Sequence, residues 1–458
     1  MRLAGATLLA LALCPPAAAQ ENSDLTRIPE AVQNEPAAVP APAPAVHGKY
    51  FIEDDLGLAL LQGRFVVAVP SQPSHWSNRT SLDALDRWSL GGGLSLSYSD
   101  RFDLTEADGI GFPAKAARND LREAYLTWEA LPETYLEFGR INLKNGIALG
   151  FNPTDFFKAR TAVSQASNDP SALRENRLGT AMLRAQTIWN GGSASVAYAP
   201  RLHTPRPVAG SAPGWADPLF DQTNTTDRFL FTVNFDVADL SAETLLSRAG
   251  SRTKLGLDLS YPIGQSIIAY AEWAGGNDSD LITRAIQFGK ATGTLPGYAP
   301  TLPPASSRRM FQNDLAVGGS WSSAAKVTIN LEYHFHQAGF SGDDWRAWFS
   351  TGAAAPALAP ELWYIRAYAA DAQEPMSRQA IFLRADWQDA FVTDLEISGI
   401  SFINPLDGSG MVQLAANYAA SDNWTFGAYV GGDFGSARSE WNSLPASGNV
   451  IFQVVRYF

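Results

Sequence analysis

Apolar and polar residues alternate along much of this chain, in segments of about ten residues. In residues 228–236, the side chains of Phe229, Phe231, Val233 and Phe235 fall on one face of an extended chain, and mainly polar residues fall on the other. Segments 252–261, 326–336 and 422–432 repeat the pattern. Such segments predict strands that bury one face in an apolar environment and turn the other towards water.

Counting back from the end of the chain gives about 16 segments of this kind, an even number. The predicted strands lie near 88–99, 119–129, 134–142, 178–189, 191–200, 226–236, 240–249, 252–261, 265–275, 312–322, 325–337, 377–388, 391–402, 409–419, 422–432 and 448–458. Two segments stay open: 50–69 as a further strand or a plug, and 362–370 as a strand within a long loop. The strand number therefore ranges from 14 to 18.

The arrangement predicts an all-β fold, a transmembrane antiparallel up-and-down β-barrel. A β protein can cross a bilayer only when its sheet closes, because lipid offers no partner for open backbone groups. The last segment ends in Phe458, and a terminal aromatic residue suits the membrane interface. Tight turns at 189–192, 261–264 and 420–423 fall on one side of the predicted barrel. The long gaps fall on the other, as in outer-membrane barrels.

The first residues predict export. Residues 1–19 combine Arg2, a short apolar run and Ala17-Ala18-Ala19, which is typical of a cleaved signal peptide. Cleavage removes Cys14, the single cysteine, so the mature chain forms no disulfide. Residues 20–49 are rich in Pro and Ala and predict a disordered periplasmic leader, either a spacer or an arm for a periplasmic partner. Residues 50–458 then form the barrel, in the bacterial outer membrane.

The composition of the chain argues against two classes of protein, helical membrane proteins and nucleic-acid-binding proteins. No stretch after the signal reaches the ~20 apolar residues of a membrane helix. The formal charge of −12 argues against nucleic acid as a partner. The expected contacts are outer-membrane lipid and a small or medium solute.

The long segment 143–177 is the main candidate for a constriction of the pore. It carries Phe156-Phe157 and several charges, so it is expected to fold against the barrel, with turn and helix N-cap chemistry at 152–155. The alternative is that its charges hold the loop to the wall and touch no solute. The candidate constriction residues are Arg140, Asn152, Asp155, Lys158, Arg160, Arg174, Glu175 and Arg177.

Alternation also predicts which polar side chains face the lumen. They are Glu123, Glu137, Arg184, Gln186, Asp258, Glu272, Glu332, His334, His336, Arg384 and Asp386. His334 and His336 share a face, but a metal site needs a third ligand that the sequence does not reveal. The expectation is ordinary pore lining, with no metal and no cofactor. A register slip of one residue would exchange the lumen and lipid faces.

No catalytic motif stands out. His75-Trp76-Ser77 superficially resembles a His-x-Ser arrangement of barrel phospholipases, but it lies in a predicted loop with no base or orienting group beside it. We therefore predict that the chain is not an enzyme.

Four motifs carry a resemblance to a porin-like Gram-negative outer-membrane family, broadly similar to alginate-export-type barrels. They occupy residues 119–126, 139–142, 152–156 and 173–179, with support from 407–410, 432–436 and 439–440. The resemblance implies a passive channel. The acidic balance of the chain argues against alginate as its solute, because alginate exporters use a basic pore.

The sequence thus predicts a porin-like channel for passive passage of small or medium solutes. One alternative is a dedicated exporter of a polysaccharide or lipid-like product, working with a periplasmic partner. The other is an outer-membrane hydrolase. The oligomeric state stays open.

Overall fold

The computed structural model describes residues 48–70, 73–108, 114–208, 214–299, 302 and 309–458. The predicted export signal and most of the predicted leader lie outside these residues. Within them, the chain forms one sheet of 18 strands whose sequence neighbours pair in antiparallel fashion. The first strand also pairs with the last, so the sheet closes into an up-and-down barrel. The predicted all-β barrel is confirmed.

The strands follow one another with few interruptions. They are β1 (Lys49–Leu61), β2 (Trp76–Gly91), β3 (Leu94–Ala107), β4 (Ala114–Leu131), β5 (Thr134–Ile141), β6 (Thr180–Trp189), β7 (Gly192–Ala199), β8 (Arg228–Val237), β9 (Leu240–Ala249), β10 (Arg252–Ile263), β11 (Ile267–Asp278), β12 (Met310–Ser322), β13 (Val327–His336), β14 (Gln379–Trp387), β15 (Leu395–Asn404), β16 (Ser409–Ser421), β17 (Trp424–Phe434) and β18 (Ala446–Tyr457). The helices are α1 (Pro170–Glu175), α2 (Phe220–Thr223), α3 (Leu281–Ala291), α4 (Gly342–Ala354) and α5 (Ala359–Ala372), with a 3-10 turn at Pro356–Leu358.

The seam of the barrel joins β1 to β18. Phe51 is the register partner of Tyr457, and their ring centroids lie 5.5 Å apart. Beyond them, the backbone N–H of Phe458 donates a 3.0 Å hydrogen bond to the carbonyl of Tyr50. The aromatic pair of Phe51 and Tyr457 therefore lies where the sheet closes.

The two faces of the wall differ as the alternation predicts. On β13, Leu331 is 55% exposed and Tyr333 40%, whereas Glu332 between them is 1% exposed. Because the barrel is closed, the exposed apolar face is its outside and the polar face lines its interior.

The predicted strand near 88–99 is wrong, because it joins the end of β2 to the start of β3. Of the two interpretations left open for 50–69, a further strand is confirmed as β1. Residues 88–99 span a hairpin: Gly91, Gly92 and Gly93 all have positive φ and form the turn between β2 and β3. The sequence leaves β1 open between a strand and a plug because Asp54 interrupts the apolar face formed by Ile52, Leu56 and Leu58.

The two ends of the barrel are unlike. One end, here the turn end, carries the hairpin connections that follow the even-numbered strands up to β16. The other, the loop end, carries long connections, including 142–179, 200–227, 279–309 and 337–378. This is the predicted asymmetry.

Three helices at the loop end, α3, α4 and α5, form a cap with its own apolar core. Trp345, Trp348, Leu362 and Ile365 are buried there with Val67 from the connection after β1. Residues 362–370, open as a strand from the sequence, are helical in α5. In the described part of the chain, no helix is long and apolar enough to cross a bilayer.

Candidate functional site: the barrel interior

Residues 142–179, here the interior segment, leave β5 and cross the inside of the barrel before entering β6. Two wall carboxylates hold the segment's backbone. Glu272 on β11 accepts hydrogen bonds from the N–H groups of Ile147 and Ala148, both at 3.0 Å, and of Thr154 at 2.8 Å. Hydrogen bonds of this charge-assisted kind are about twice as strong as neutral ones.

Glu332 on β13 repeats the arrangement two strands away. It accepts from the N–H groups of Leu149 at 2.7 Å and Gly150 at 2.9 Å, and from the Tyr270 hydroxyl at 2.7 Å. Both carboxylates are almost completely buried. Their burial is offset by backbone donors, and this fixes the path of residues 147–154 against the wall.

Gly146 shows how close that approach is. Its φ is +89°, and a Cβ placed on it would lie 2.5 Å from a carboxylate oxygen of Glu272. A side chain at this position therefore meets both backbone strain and a steric clash.

The far end of the segment reaches other strands. The N–H of Asn168 donates to the side chain of Gln413 on β16 at 3.0 Å. Asp169, which caps the N-terminus of α1, pairs with Arg384 on β14 at 2.9 Å. The helix cap therefore lies at Asp169 and not at 152–155. Since the segment also contacts β10, β11 and β13, it spans the interior from wall to wall.

Several predicted constriction residues hold the segment together. Arg177 forms a two-pronged ion pair with Asp155, at 2.7 and 3.1 Å, and also donates to the Leu143 carbonyl at 2.7 Å. Arg174 donates to the carbonyls of Asn145 and Gly146 at 2.9 and 2.8 Å. These contacts fold the segment back on itself.

Of the remaining candidates, some donate hydrogen bonds to backbone carbonyls and one is exposed to solvent. Arg140 donates to the carbonyls of Gly179 at 2.9 Å and Pro218 at 2.5 Å. The Asn152 side chain donates to the Ala148 carbonyl. Glu175 is exposed and pairs with Lys144 at 2.6 Å.

The cap rests on the interior segment. The backbone N–H of Arg160 donates to the Asp371 carbonyl at 2.7 Å, and its guanidinium pairs with the Asp371 carboxylate at 2.8 Å. The Gln373 side chain donates to the carbonyl of Lys158 at 2.6 Å. Cap and segment are thus joined at residues 158–161.

Arg284 on α3 and Glu374 after α5 form the buried ion pair beneath the cap, with two N–O contacts of 2.7 Å. Burial alone would raise the pKa of Glu374, but the charge and hydrogen bonds of Arg284 outweigh it and lower that pKa to about 2.

A cavity of about 260 Å³ lies at the loop end between the interior segment, strands β8 to β13 and the cap. It is rich in charge of both signs. Its ionisable lining residues are Asp155, Lys158, Arg160, Arg228, Arg252, Lys254, Asp278, Arg284, Asp314, His336 and Glu374. Of the predicted constriction residues, Asp155, Lys158 and Arg160 reach this cavity.

The predicted lumen-facing residues lie on the polar side of the wall. Glu137 and Arg184 pair at 2.9 Å across β5 and β6. Glu123 accepts from the N–H of Asn142 at 3.1 Å, where the interior segment begins. Asp258 lies 3.0 Å from the Thr154 hydroxyl, and Asp386 lies 3.0 Å from Arg384. Much of this lining is thus engaged by the segment or by neighbouring strands.

The two histidines contact carboxylates. His334 lies 2.7 Å from Glu332, and His336 lies 2.7 Å from Asp314. Among the described residues, no group of three or more His, Cys, Asp or Glu side chains has the geometry of a metal site.

Sequence reasoning missed two sets of residues. Arg228 and Lys254 line the cavity from the loop ends of β8 and β10. A charge network also covers the inside of β1 to β4, where Arg101 contacts Glu53 at 2.5 Å and Asp103 at 2.9 Å. Its signal is the even spacing, of two or four residues, between the charges at 53/55, 79/83 and 101/103, which puts each pair on one face once these segments are recognised as strands.

No protein-family model and no curated protein sequence matches the chain. Among solved structures, it is similar to Pseudomonas aeruginosa OccK11 (OpdR), with a TM-score of 0.45 and 10% identity over 90% of this chain and 95% of that one. It is also similar to a triple mutant of Rhodopseudomonas blastica porin, with a TM-score of 0.39 and 9% identity over 90% and 99%. The barrel assignment rests on this chain's own strand pairing, and the resemblance to alginate-export-type barrels stays a prediction.

Proposed function

We propose that this chain is a porin-like channel of the bacterial outer membrane, through which small or medium solutes pass passively. The observation that carries the proposal is the closed barrel of 18 strands, apolar outside and charged inside. Barrels of about 16 to 18 strands are wide enough for an aqueous channel. In this proposal the loop end faces the exterior and the turn end faces the periplasm.

The interior segment is the proposed constriction. A free loop could move out of the pore, whereas this one is held across it by Glu272, Glu332 and Arg384. Selectivity in such a channel depends on the side chains at its narrowest level. The chain therefore acts by admitting or rejecting solutes, and it catalyses no reaction.

The test is single-channel conductance in planar bilayers. The refolded protein is compared with a variant in which a short Gly-Ser linker replaces residues 143–178. The linker can close the gap because Ile141 and Thr180 are register partners on β5 and β6. We expect open channels for both proteins and a larger conductance for the variant. Resistance of the folded band to detergent on unheated gels serves as the control for barrel formation. Folded barrels that do not conduct would contradict the proposal.

A further inference from the structure

The loop-end cavity holds more positive charge than its carboxylates balance. Its lining includes six lysines and arginines and four carboxylates. Asp278 pairs with Arg252 at 3.3 Å, Asp314 with Lys254 at 3.2 Å, and Glu374 with Arg284 at 2.7 Å. The fourth carboxylate, Asp155, is held by Arg177 from behind the cavity.

Two cations are left over. Arg160 pairs with Asp371 of the cap. Lys158 and Arg228, by contrast, have no carboxylate oxygen within 4.0 Å in the described ranges of the chain. An excess of cations beside a cavity favours the binding of anions there.

Lys158 is held in place without a charged partner. Its ammonium donates to the Asn152 carbonyl at 2.6 Å and lies 4.2 Å from the centroid of the Phe151 ring. Neither contact neutralises its charge, and an ammonium group has three donors. Because Lys158 lines the cavity, the donors that do not bond Asn152 can serve an anion there.

Arg228, at the start of β8, is positioned in a similar way. Its Nη2 donates to the Thr180 hydroxyl and the Thr223 carbonyl, and its guanidinium lies over the Phe157 ring at 4.5 Å. Since both bonds use Nη2, the remaining N–H groups are free to hold an oxyanion. The hydroxyls of Ser247, Thr225 and Thr226 add neutral donors to the same lining.

We propose that this cavity is a binding site for a small oxyanion, a carboxylate or a phosphate, held between the Lys158 ammonium and the Arg228 guanidinium. This assignment of a solute class rests on the channel proposed above. In that channel, the site binds passing anions beside the interior segment. The other cations around it are neutralised by their carboxylate partners and do not bind the anion directly.

The experiment is isothermal titration calorimetry of the refolded full chain with sodium phosphate and, separately, sodium acetate. The variants are Lys158→Met, Arg228→Met and the double substitution, with Arg228→Lys as the conservative variant. Lys326→Met, at the turn end and paired there with Asp389, is the control for loss of one positive charge.

We expect wild-type protein and K326M to bind at least one anion with equal affinity. We expect each cavity variant to lose about tenfold or more, since a hydrogen bond to a charged group has that value. R228K should recover part of the loss. Binding of phosphate or of acetate shows whether the site takes a phosphate or a carboxylate. No heat from either anion, or equal affinities in wild type and the double variant, would overturn the proposal. Calorimetry needs no conduction, so binding by a silent barrel would refute the channel and leave the site standing.

Discussion

Glu272 and Ala148 are joined by a 3.0 Å hydrogen bond from backbone N–H to carboxylate, in a part of the interior where both residues are almost fully buried. The same carboxylate also receives the N–H groups of Ile147 and Thr154. A single side chain of the wall thus fixes three points of the segment that crosses the pore.

The first prediction concerns this anchor. Glu272→Gln replaces one acceptor oxygen by an amide N–H₂, which faces backbone donors and cannot accept from them. Each charged hydrogen bond lost weakens docking of the segment by roughly 1.5–3 kcal/mol. We expect noisier and larger single-channel currents, with faster proteolysis between residues 142 and 179.

Glu175→Gln is the matched control, because Glu175 lies in the same segment but is exposed and pairs only with Lys144. Surface pairs of this kind contribute about 1 kcal/mol or less. Equal currents and cleavage rates in both variants would show that Glu272 does not anchor the segment.

The second prediction concerns the buried pair of Arg177 and Asp155. Arg177→Met leaves the buried Asp155 carboxylate with Arg174, 3.8 Å away, as its remaining cation. Breaking a buried pair costs roughly 3–5 kcal/mol, and Arg174 offsets part of that loss. Arg177→Lys keeps the charge but loses the two-pronged geometry, so its loss is smaller. The measurement is the unfolding temperature of the refolded barrel, and the expected order is wild type, R177K, R177M. Identical temperatures would contradict it.

The third prediction concerns acid. The folded-state pKa of Glu374 is about 2, below its ordinary value of 4.5. A group with a lowered pKa stabilises the folded state above its ordinary pKa, and the stabilisation is lost as the pH falls through the folded value. The cap should therefore loosen between about pH 4.5 and pH 2, because Arg284 loses its anionic partner.

Tryptophan fluorescence follows this change, since Trp345, Trp348 and Trp363 pack in the cap. We expect Glu374→Gln to show the loosened signal already at neutral pH and to respond less to acid. Asp343→Asn, at an exposed pair with Arg346, should titrate like wild type. An E374Q titration that follows the wild-type curve would contradict the role of this pair.

The fourth prediction concerns alkali. Burial lowers the pKa of Lys158, although the carboxylates of Asp155, Glu374, Glu272 and Asp314 pull it upwards. Its positive charge is lost as the pH rises through a value below the ordinary 10.5. Reversal potentials in a salt gradient should show anion preference falling on the alkaline side. Lys158→Arg should keep the preference, because arginine stays charged. An unchanged pH profile in that variant would contradict the prediction.

The strands could be predicted where each face has a consistent character. Residues 327–336 alternate throughout, and β13 has the predicted faces. The sequence leaves β1 open between a strand and a plug and does not reveal β2, because the inward charges of both strands find their partners only on other strands of the sheet. Arg79, for instance, contacts Glu53 at 3.0 Å across the sheet, and neither residue alone suggests a strand.

The site shows the same limit. The length of the interior segment and its aromatic pair pointed to a folded element. The wall residues that anchor the segment could not be predicted from the sequence, because Glu272 lies 125 residues beyond Ile147. The cap helices were missed for a related reason: their core combines Val67, α3 and α5, which are distant in sequence. Pairing between such distant residues leaves no local periodicity.

The seam between β1 and β18 also leaves the sheet without a free edge. Until β18 pairs with β1, the growing sheet has two open edges, each with a row of unpaired backbone groups that invites association with other chains. The interior segment and its anchors, from Glu272 to Arg384, all belong to connections and strands that lie between β1 and β18 in the chain. The hydrogen bonds of residues 446–457 with 51–61 therefore close the sheet. They remove the two open edges, which would favour aggregation, and they complete the wall around the interior segment.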